Sequence, residues 1–196
     1  MSRKPYRSRD RYAKRAKDDG YQARSVYKLQ EIDRRARLLR RGHRVVDLGC
    51  HPGSWSRFAL ERIGAGGRLV GVDLEQTELG AGTFLRGSVL EVGFDDLRDA
   101  LGGPADVVLS DMAPKTTGAR DADHYVQIEL ARRALEIAAA LLVPGGALVC
   151  KVFEGGEAAD FQREAREHFA KVKRMRPEAV RRQSREWFLV ATGRRG

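Results

Sequence analysis

The sequence predicts an α/β fold in which a mostly parallel sheet is covered by helices on both faces. Short apolar runs rich in β-branched residues alternate with helical apolar patterns along the chain, as is typical of that fold class. The first run ends in a loop punctuated by glycine and proline, and a helical pattern follows at once. With 196 residues, of which 42% are hydrophobic and 33% charged, the chain is long enough for one compact domain with a substantial core.

Charge is distributed unevenly along the chain. Residues 1–44 carry a net charge of +11 and residues 171–196 carry +7, whereas the segment between them carries −8. Two basic ends around an acidic middle indicate a surface that binds a polyanion such as RNA. Residues 1–20 lack an apolar period and are predicted to form a basic, flexible N-terminal arm, with residues 21–196 as a single domain.

The sequence does not favour a membrane protein or a disulfide-rich secreted protein. The longest uncharged apolar run, residues 137–143, is far shorter than the roughly 20 residues that cross a bilayer. The two cysteines, Cys50 and Cys150, form no disulfide framework or metal-ligand pattern. A cytoplasmic protein without membrane contact and without a metal site is therefore expected.

The elements can be assigned in chain order. A basic amphipathic helix is predicted over 22–39, with its apolar face formed by Val26, Leu29, Ile32 and Ala36. A buried strand from residue 45 then leads through the glycine loop into a helix that begins at Ser54. Further strands are predicted over 68–73, 83–86, 106–111, 147–153, 171–175 and 186–192, and helices over 94–101, 123–142 and 158–169. Residues 115–122 are predicted to form a mobile loop, and the last two strands an antiparallel hairpin.

The glycine loop at residues 49–53 is the predicted ligand site. Ligands of open α/β sheets bind beyond the carboxyl ends of the strands, beside helix N-termini whose N–H groups are available. Asp73, at the end of the second strand and about 20 residues further on, is suited to accept hydrogen bonds from ribose hydroxyls. A nicotinamide dehydrogenase would use similar features, but Gly49 and Gly53 do not fit its Gly-x-Gly-x-x-Gly pattern.

Three ionisable residues stand at strand tips or within an apolar strand pattern: Asp111, Lys151 and Glu186. A buried charge is costly unless it is paired, so each predicts a partner or a chemical task. For Lys151, a purely structural salt bridge with a nearby carboxylate is the alternative to a catalytic role.

Four motifs together resemble the FtsJ/RrmJ family of RNA ribose 2′-O-methyltransferases. They are Asp-Leu-Gly-x-x-Pro-Gly-x-Trp-Ser at 47–56, Ser-Asp-Met-Ala-Pro at 110–114, Lys-Val-Phe at 151–153 and Ser-Arg-Glu at 184–186. The resemblance extends over residues 21–193 and implies a Rossmann-like, S-adenosylmethionine-dependent methyltransferase fold with a seven-stranded sheet and an antiparallel closing strand. It also implies S-adenosyl-L-methionine as cofactor and RNA as partner, with a uridine of 23S ribosomal RNA in the large ribosomal subunit as acceptor. A monomer in the cytoplasm is expected.

The resemblance also implies roles for individual residues. The family's Lys-Asp-Lys-Glu tetrad corresponds to Lys28, Asp111, Lys151 and Glu186. The cofactor-binding residues implied are Gly49, Gly53, Ser54, Trp55, Asp73, Ser88 and Asp111. The basic ends supply phosphate contacts, for which we predict Arg24, Arg34, Arg35, Arg37, Arg181, Arg182 and Arg185.

Two alternatives remain open from the sequence. A 2′-O-methyltransferase of transfer RNA would need the same tetrad, because the chemistry is the same. A catalytically silent RNA-binding or ribosome-assembly protein is also compatible with the fold, although it would have no reason to retain all four residues.

One departure from the family pattern generates a prediction. Relatives commonly have Gly-Asp after the third strand, contacting the adenine, whereas this chain has Gly87-Ser88. A hydroxyl accepts a hydrogen bond more weakly than a carboxylate does, so Ser88→Asp should increase the affinity for S-adenosylmethionine. Titration calorimetry of the two proteins tests this, and an unchanged dissociation constant would contradict it.

Overall fold

The computed structural model describes residues 11–114 and 120–196, which are built around a seven-stranded sheet. Its strands are β1 (Arg44–Leu48), β2 (Arg68–Asp73), β3 (Thr83–Arg86), β4 (Ala105–Ser110), β5 (Leu142–Phe153), β6 (Phe169–Met175) and β7 (Glu186–Arg194). Their order is β3-β2-β1-β4-β5-β7-β6, with β1 to β5 parallel. Only β7 is antiparallel to its neighbours β5 and β6. The predicted mostly parallel sheet with an antiparallel closing strand is confirmed.

Helices cover both faces of this sheet. They are α1 (Arg11–Asp18), α2 (Val26–Ala36), α3 (Ser54–Ile63), α4 (Phe94–Leu101), α5 (Arg120–Leu141) and α6 (Ala158–His168). Side chains alternate across a strand, so Val46 and Leu48 pack into the core beneath α4, α5 and α6. Val45 and Leu69 belong to the opposite core, beneath α2 and α3. Among the described residues no helix is long and apolar enough to cross a membrane.

The helix predicted over 22–39 is shorter than expected. Its regular part is α2, and it ends where Arg37 adopts the left-handed conformation with φ of 53°. The Asp33 carboxylate explains this end, because its Oδ1 accepts hydrogen bonds from the backbone N–H groups of Leu38 at 3.0 Å and Leu39 at 2.9 Å. These bonds turn the chain toward β1 and bury both leucines.

The junction of α5 and β5 also differs from the sequence prediction. Helix α5 begins at Arg120 rather than 123 and ends at Leu141, and β5 begins at Leu142 rather than 147. Pro144 and the two glycines after it therefore lie inside the strand, beside a register shift between Ala105 and Val107 of β4. An irregular segment of this kind tolerates a proline that a regular ladder does not. Of the predicted loop over 115–122, residues 115–119 lie outside the described residues and the rest belongs to α5.

The N-terminal segment is described from residue 11 onward. Helix α1 buries Ala16 to 2% exposure against Val26, Tyr27 and Ala179. The Tyr27 hydroxyl donates a hydrogen bond to Asp19 at 2.8 Å. Part of the predicted arm is thus a docked helix, while residues 1–10 lie outside the described residues. The division into an arm over 1–20 and a domain over 21–196 stays a prediction.

Asp33 generates a prediction about stability. Asp33→Ala would leave the backbone N–H groups of Leu38 and Leu39 buried without their acceptor, which we expect to lower the free energy of unfolding by about 2–3 kcal/mol. Asp33→Asn keeps an acceptor oxygen and loses only the ion pair with the half-exposed Arg62, so it should cost less than half as much. Urea unfolding of both variants tests this, and equal losses would contradict the capping role.

Candidate active site

The four predicted catalytic residues lie together at the carboxyl edge of the sheet. Lys28 comes from the first turn of α2, Asp111 directly follows β4, Lys151 lies in β5 and Glu186 begins β7. The Nζ of Lys28 is 2.8 Å from Glu186 Oε1 and 3.6 Å from Asp111 Oδ1. The Nζ of Lys151 is 3.2 Å from the same Asp111 oxygen. The two lysines therefore share one carboxylate, and two positive charges face two negative ones.

Burial makes this charge balance necessary. The four side chains are only 7–14% exposed, and an unpaired charge at such a depth would be strongly destabilising. Burial lowers the pKa of Lys28, but Asp111 and Glu186 raise it by more, so the net shift is upward. Lys28 is thus held as an ammonium between the two acids.

Asp111 keeps unused hydrogen-bonding capacity. Its buried Oδ1 forms ion pairs with both lysines but has no hydrogen-bond partner among the described residues. Lys151 instead donates to the Asp111 backbone oxygen at 2.5 Å. Since an ammonium has three N–H donors, Lys151 has hydrogens left with which to hold a bound hydroxyl group.

Gln127 is a further residue of the site that the sequence did not predict. Its Nε2 donates to the Lys151 backbone oxygen at 2.6 Å, and its Oε1 accepts from the Phe153 N–H at 3.0 Å. The side chain is buried and reaches from α5 to the last residues of β5. In the sequence, the only indication was a polar residue at a position on the buried face of a helix. That position does not reveal its hydrogen-bond partners, because they lie on β5.

The predicted cofactor loop follows β1 and requires glycine at two positions. Gly49 has φ of 76°, and a Cβ atom there would lie 2.5 Å from Met112 Cγ. Gly53 has φ of 103° and precedes the first turn of α3. Both conformations lie in the left-handed region that favours glycine. The loop thus turns tightly from the end of β1 into the buried first turn of α3.

Asp73, at the end of β2, shapes this loop. Its Oδ2 accepts a hydrogen bond from the His51 N–H and its Oδ1 accepts one from the Glu75 N–H, both at 3.0 Å. A carboxylate has about four acceptor positions, so capacity remains for ribose hydroxyls. That role stays a prediction.

Ser54 and Trp55 make contacts different from those expected of cofactor ligands. The Ser54 hydroxyl accepts a hydrogen bond from the Ala23 N–H at 2.6 Å, and the Trp55 indole donates to the Ser25 oxygen at 2.9 Å. Trp55 also packs on Phe188, with ring centroids 5.8 Å apart. Both side chains are buried and fix the segment before α2. Helix α2 in turn carries Lys28. A cofactor role for these two residues would rest on their backbone N–H groups.

Ser88 lies near Asp73 in the structure. The N–H of the preceding Gly87 donates to the Asp73 backbone oxygen at 2.8 Å, and the Ser88 hydroxyl accepts from the Leu90 N–H at 3.2 Å. Leu74 and Leu90 are 65% and 42% exposed. Exposed apolar side chains near the acceptor groups of Asp73 and Ser88 suit a flat heterocycle. The sequence analysis did not predict either leucine as a site residue.

Asp47 is a buried acid beneath the loop. Its Oδ2 accepts a hydrogen bond from the Ser56 hydroxyl at 2.6 Å. Burial raises the pKa of Asp47, the Ser56 hydrogen bond lowers it, and the negative charges of Asp111 and Asp73 raise it, so that the resulting pKa is about 7 instead of 3.8. The loop thus rests on a carboxyl group that titrates near neutral pH.

The predicted RNA-binding arginines do not form one continuous surface. Arg24 and Arg181 line a recess beside Lys28 and Glu186, while Arg37 lies at the opposite, amino-terminal edge of the sheet near Gly145. Arg35 pairs with Glu31 at 2.7 Å, and Arg185 donates to the Glu154 backbone oxygen. Arg34 and Arg182 are exposed. Their phosphate contacts stay predictions.

Comparison with known proteins gives consistent matches. The model of the FtsJ-like methyltransferase family matches residues 21–194. A protein of Sorangium cellulosum named ribosomal RNA large subunit methyltransferase E is 47% identical over 97% of this chain and 91% of its own length. A protein of the same name from Desulfatibacillum aliphaticivorans is 41% identical over 96% and 92%.

Solved structures share the fold. A putative ribosomal RNA methyltransferase from Plasmodium falciparum matches with a TM-score of 0.79 and 24% identity, covering 90% of this chain and all of its own. Aeropyrum pernix fibrillarin, solved with bound S-adenosyl-L-methionine, matches with a TM-score of 0.57 and 13% identity over 86% of this chain and 76% of its own.

Asp47 generates a prediction about pH. Because its folded-state pKa of about 7 lies above the ordinary 3.8, the folded protein binds more protons than the unfolded chain between these pH values. Its contribution to stability is therefore fully present below about pH 4 and falls as pH rises toward 7, by up to about 1.4 kcal/mol per pH unit. Asp47→Asn should remove this fall.

The test is urea unfolding of the unmodified protein, Asp47→Asn and Ser56→Ala at pH 5, 6, 7 and 8. The stability of Asp47→Asn relative to the unmodified protein should increase with pH. Ser56→Ala, which removes the bond that lowers the Asp47 pKa, should extend the fall to higher pH. Parallel pH profiles for all three proteins would contradict the titration of Asp47.

Proposed function

The chain belongs to the FtsJ-like methyltransferase family, and we propose that it methylates a ribose 2′-hydroxyl of large-subunit ribosomal RNA with S-adenosyl-L-methionine. The single observation that carries the proposal is the buried cluster of Lys28, Asp111, Lys151 and Glu186. It lies at the same edge of the sheet as the glycine loop and Asp73. One edge thus offers sites for both methyl donor and acceptor.

The chemistry defines what the protein must do. S-adenosylmethionine supplies a methyl group that its positively charged sulfur already activates, whereas a ribose hydroxyl is a weak nucleophile at neutral pH. The protein must align the two groups and help remove one proton. In the transfer, the hydroxyl oxygen would form a bond to the methyl carbon, the carbon–sulfur bond would break with its electron pair left on sulfur, and the hydroxyl proton would pass to the neutral amine of Lys151 or to a water molecule.

Lys151 is the residue that holds the acceptor hydroxyl in this proposal. Its Nζ is fixed by the Asp111 backbone oxygen and carboxylate, and the Gln127 amide fixes its backbone. As an ammonium it orients the 2′-hydroxyl by donating a hydrogen bond to it, and it acts as the base only in its neutral amine form. The Asp111 carboxylate holds Lys151 and faces the positive end of the donor.

Lys28 and Glu186 position the acceptor ribose from the other side. They form the shortest ion pair of the tetrad, at 2.8 Å, and Lys28 lies 5.5 Å from the Phe188 ring centre. Both also line the recess that contains Arg24 and Arg181. The donor and acceptor therefore approach the tetrad from opposite sides.

Donor binding is assigned to the loops after β1, β2 and β3. Asp73 has acceptor positions for ribose hydroxyls, and Leu74, Leu90 and Ser88 offer two apolar faces and a polar edge for the adenine. The polar part of the donor is assigned to the glycine loop and to the backbone N–H groups at the start of α3.

Large-subunit ribosomal RNA is proposed as the substrate on two grounds. The relatives that match over nearly their full lengths carry that substrate in their names. The arginine-rich ends of this chain provide the positive charge that phosphate binding needs. A cytoplasmic location and a monomeric state also belong to this proposal.

Labelling of separated RNAs tests the substrate. The protein is incubated with methyl-labelled S-adenosylmethionine and with purified ribosomal subunits, ribosomal RNA and transfer RNA, and alkali-resistant linkages are mapped. Label in 23S RNA or the large subunit is expected. Label in transfer RNA alone would overturn the substrate assignment, and no label in any RNA would favour the silent binding protein.

Lys151→Ala generates the catalytic prediction. Removing the amine should lower methyl transfer by about 10²–10⁴-fold, the usual contribution of a positioned acid–base group. The affinity for S-adenosylmethionine, measured by calorimetry, should change little, because the assigned donor contacts lie elsewhere. Lys171→Ala, on the edge strand β6, is the matched control. Transfer at the unmodified rate by Lys151→Ala would refute the assignment.

A further inference from the structure

A recess beside the tetrad has the dimensions and the polar lining of a nucleotide site. Its volume is about 450 Å³, within the range of roughly 300–1,000 Å³ that is typical of small-molecule pockets. One wall consists of the segment before α2 together with Lys28 of α2. The other consists of the loop before β7 together with Glu186, the first residue of β7. Half of the tetrad thus forms part of its lining.

The lining combines positive charge with neutral hydrogen-bonding groups. Arg24 and Arg181 bring two guanidinium groups, and Ser25 and Ser184 bring hydroxyls. Gln183 adds an amide, which offers a donor and an acceptor side by side. Guanidinium groups suit phosphates, and an amide can pair with the hydrogen-bonding edge of a base. The set therefore matches the phosphate, ribose and base of a single nucleotide.

Arg176, which lies outside the recess, stabilises the conformation of the loop before β7. The Arg176 guanidinium donates hydrogen bonds to four backbone oxygens of this loop, and the shortest is 2.7 Å, to Ser184. The others go to Arg181, Arg182 and Glu186 at 3.1–3.4 Å. The chain also turns on itself, because the Ser184 N–H donates to the Arg181 oxygen at 2.9 Å. A loop wrapped around one guanidinium is preformed, which lowers the entropic cost of binding.

We propose that this recess receives one nucleotide of the RNA, unstacked from its neighbours, with its base read by Gln183. This rests on the proposed function and goes beyond it by stating how the acceptor is presented. Lys28 and Glu186 line the recess with side chains only 10% and 14% exposed, so a nucleotide stacked inside a helix cannot bring its ribose to them. Unstacking is the general solution for enzymes that act on nucleotides at such depth.

The parts of the nucleotide have separate partners in this arrangement. Its ribose lies against Lys28 and Glu186, and its neighbouring phosphates lie at Arg24 and Arg181. The base lies against the loop at Gln183. Arg176 touches none of these groups and is a positioning residue that acts through the loop backbone.

The first test measures unstacking directly. The RNA segment that accepts label is synthesised with the fluorescent base 2-aminopurine beside the accepting nucleotide, and it is titrated with the full-length protein and S-adenosylhomocysteine. A fluorescence increase of about 3-fold or more is expected, because unstacking of the neighbour relieves quenching. Unchanged fluorescence, with that RNA bound and methylated in parallel assays, would overturn the recess proposal and leave the proposed function intact. Absence of methyl transfer to any RNA would overturn both.

The second test addresses base reading. RNAs that differ only in the accepting base are compared by kcat/KM, and we expect the unmodified protein to prefer one base by about 10-fold or more. In Gln183→Ala this ratio should fall toward 1, with the affinity for S-adenosylmethionine unchanged. Gln162→Ala, on α6 away from the site, is the matched control. An unchanged ratio in Gln183→Ala would overturn the role of Gln183.

The third test separates positioning by Arg176 from a general structural role. Arg176→Ala should raise the KM for RNA by about 10-fold, the loss expected from about one favourable hydrogen-bonded contact, and leave S-adenosylmethionine affinity unchanged. Added guanidinium ion at low millimolar concentration should restore part of the loss, and Arg166→Ala on α6 should behave as the unmodified protein. Equal loss of RNA and S-adenosylmethionine affinity, without rescue, would overturn the positioning role.

Discussion

The structure depends on one carboxylate that faces two buried ammonium groups. Asp111 Oδ1 lies within 3.6 Å of both Lys28 and Lys151, and Glu186 balances the remaining charge. Removing one partner from such a cluster leaves an uncompensated charge in a region of low dielectric constant. The four positions are therefore coupled, and each element that carries one of them is held in place by the others as well as by apolar packing.

The support around this cluster consists mainly of side chains that bind backbone groups of another element. Gln127 brackets the end of β5, while Ser54 and Trp55 fix the segment before α2. Arg176 organises the loop before β7. Each of these bonds restricts a backbone position rather than a single rotamer. A site that must align two substrates benefits from such rigidity, because small displacements of reacting atoms cost rate steeply.

Much of the fold and the tetrad could be predicted from the sequence, and the failures have a common cause. The bounds of β2, β3 and α4 were predicted as observed, since glycines or an acidic residue mark their ends. The ends of α2 and β5 were wrong, because a carboxylate cap at Asp33 and an irregular register beside β4 determine them. The support from Gln127 and Arg176 was missed for the same reason. These contacts run from single side chains to backbone groups 5–26 residues away, and neither periodicity nor a motif records them.

The direction of β7 determines when the charge cluster can be completed during folding. Because β7 runs against its neighbours, its first residue pairs with the last residue of β5, Phe153 with Glu186, and so the acid reaches the edge where the other strands end. Lys28, by contrast, is supplied by the first helix docked on the sheet. The tetrad is therefore complete only when β7 lies between β5 and β6. Without β7 the two lysines and Asp111 lack Glu186 and the edge strand β6 lacks its partner, so the same strand completes both the sheet and the charge cluster.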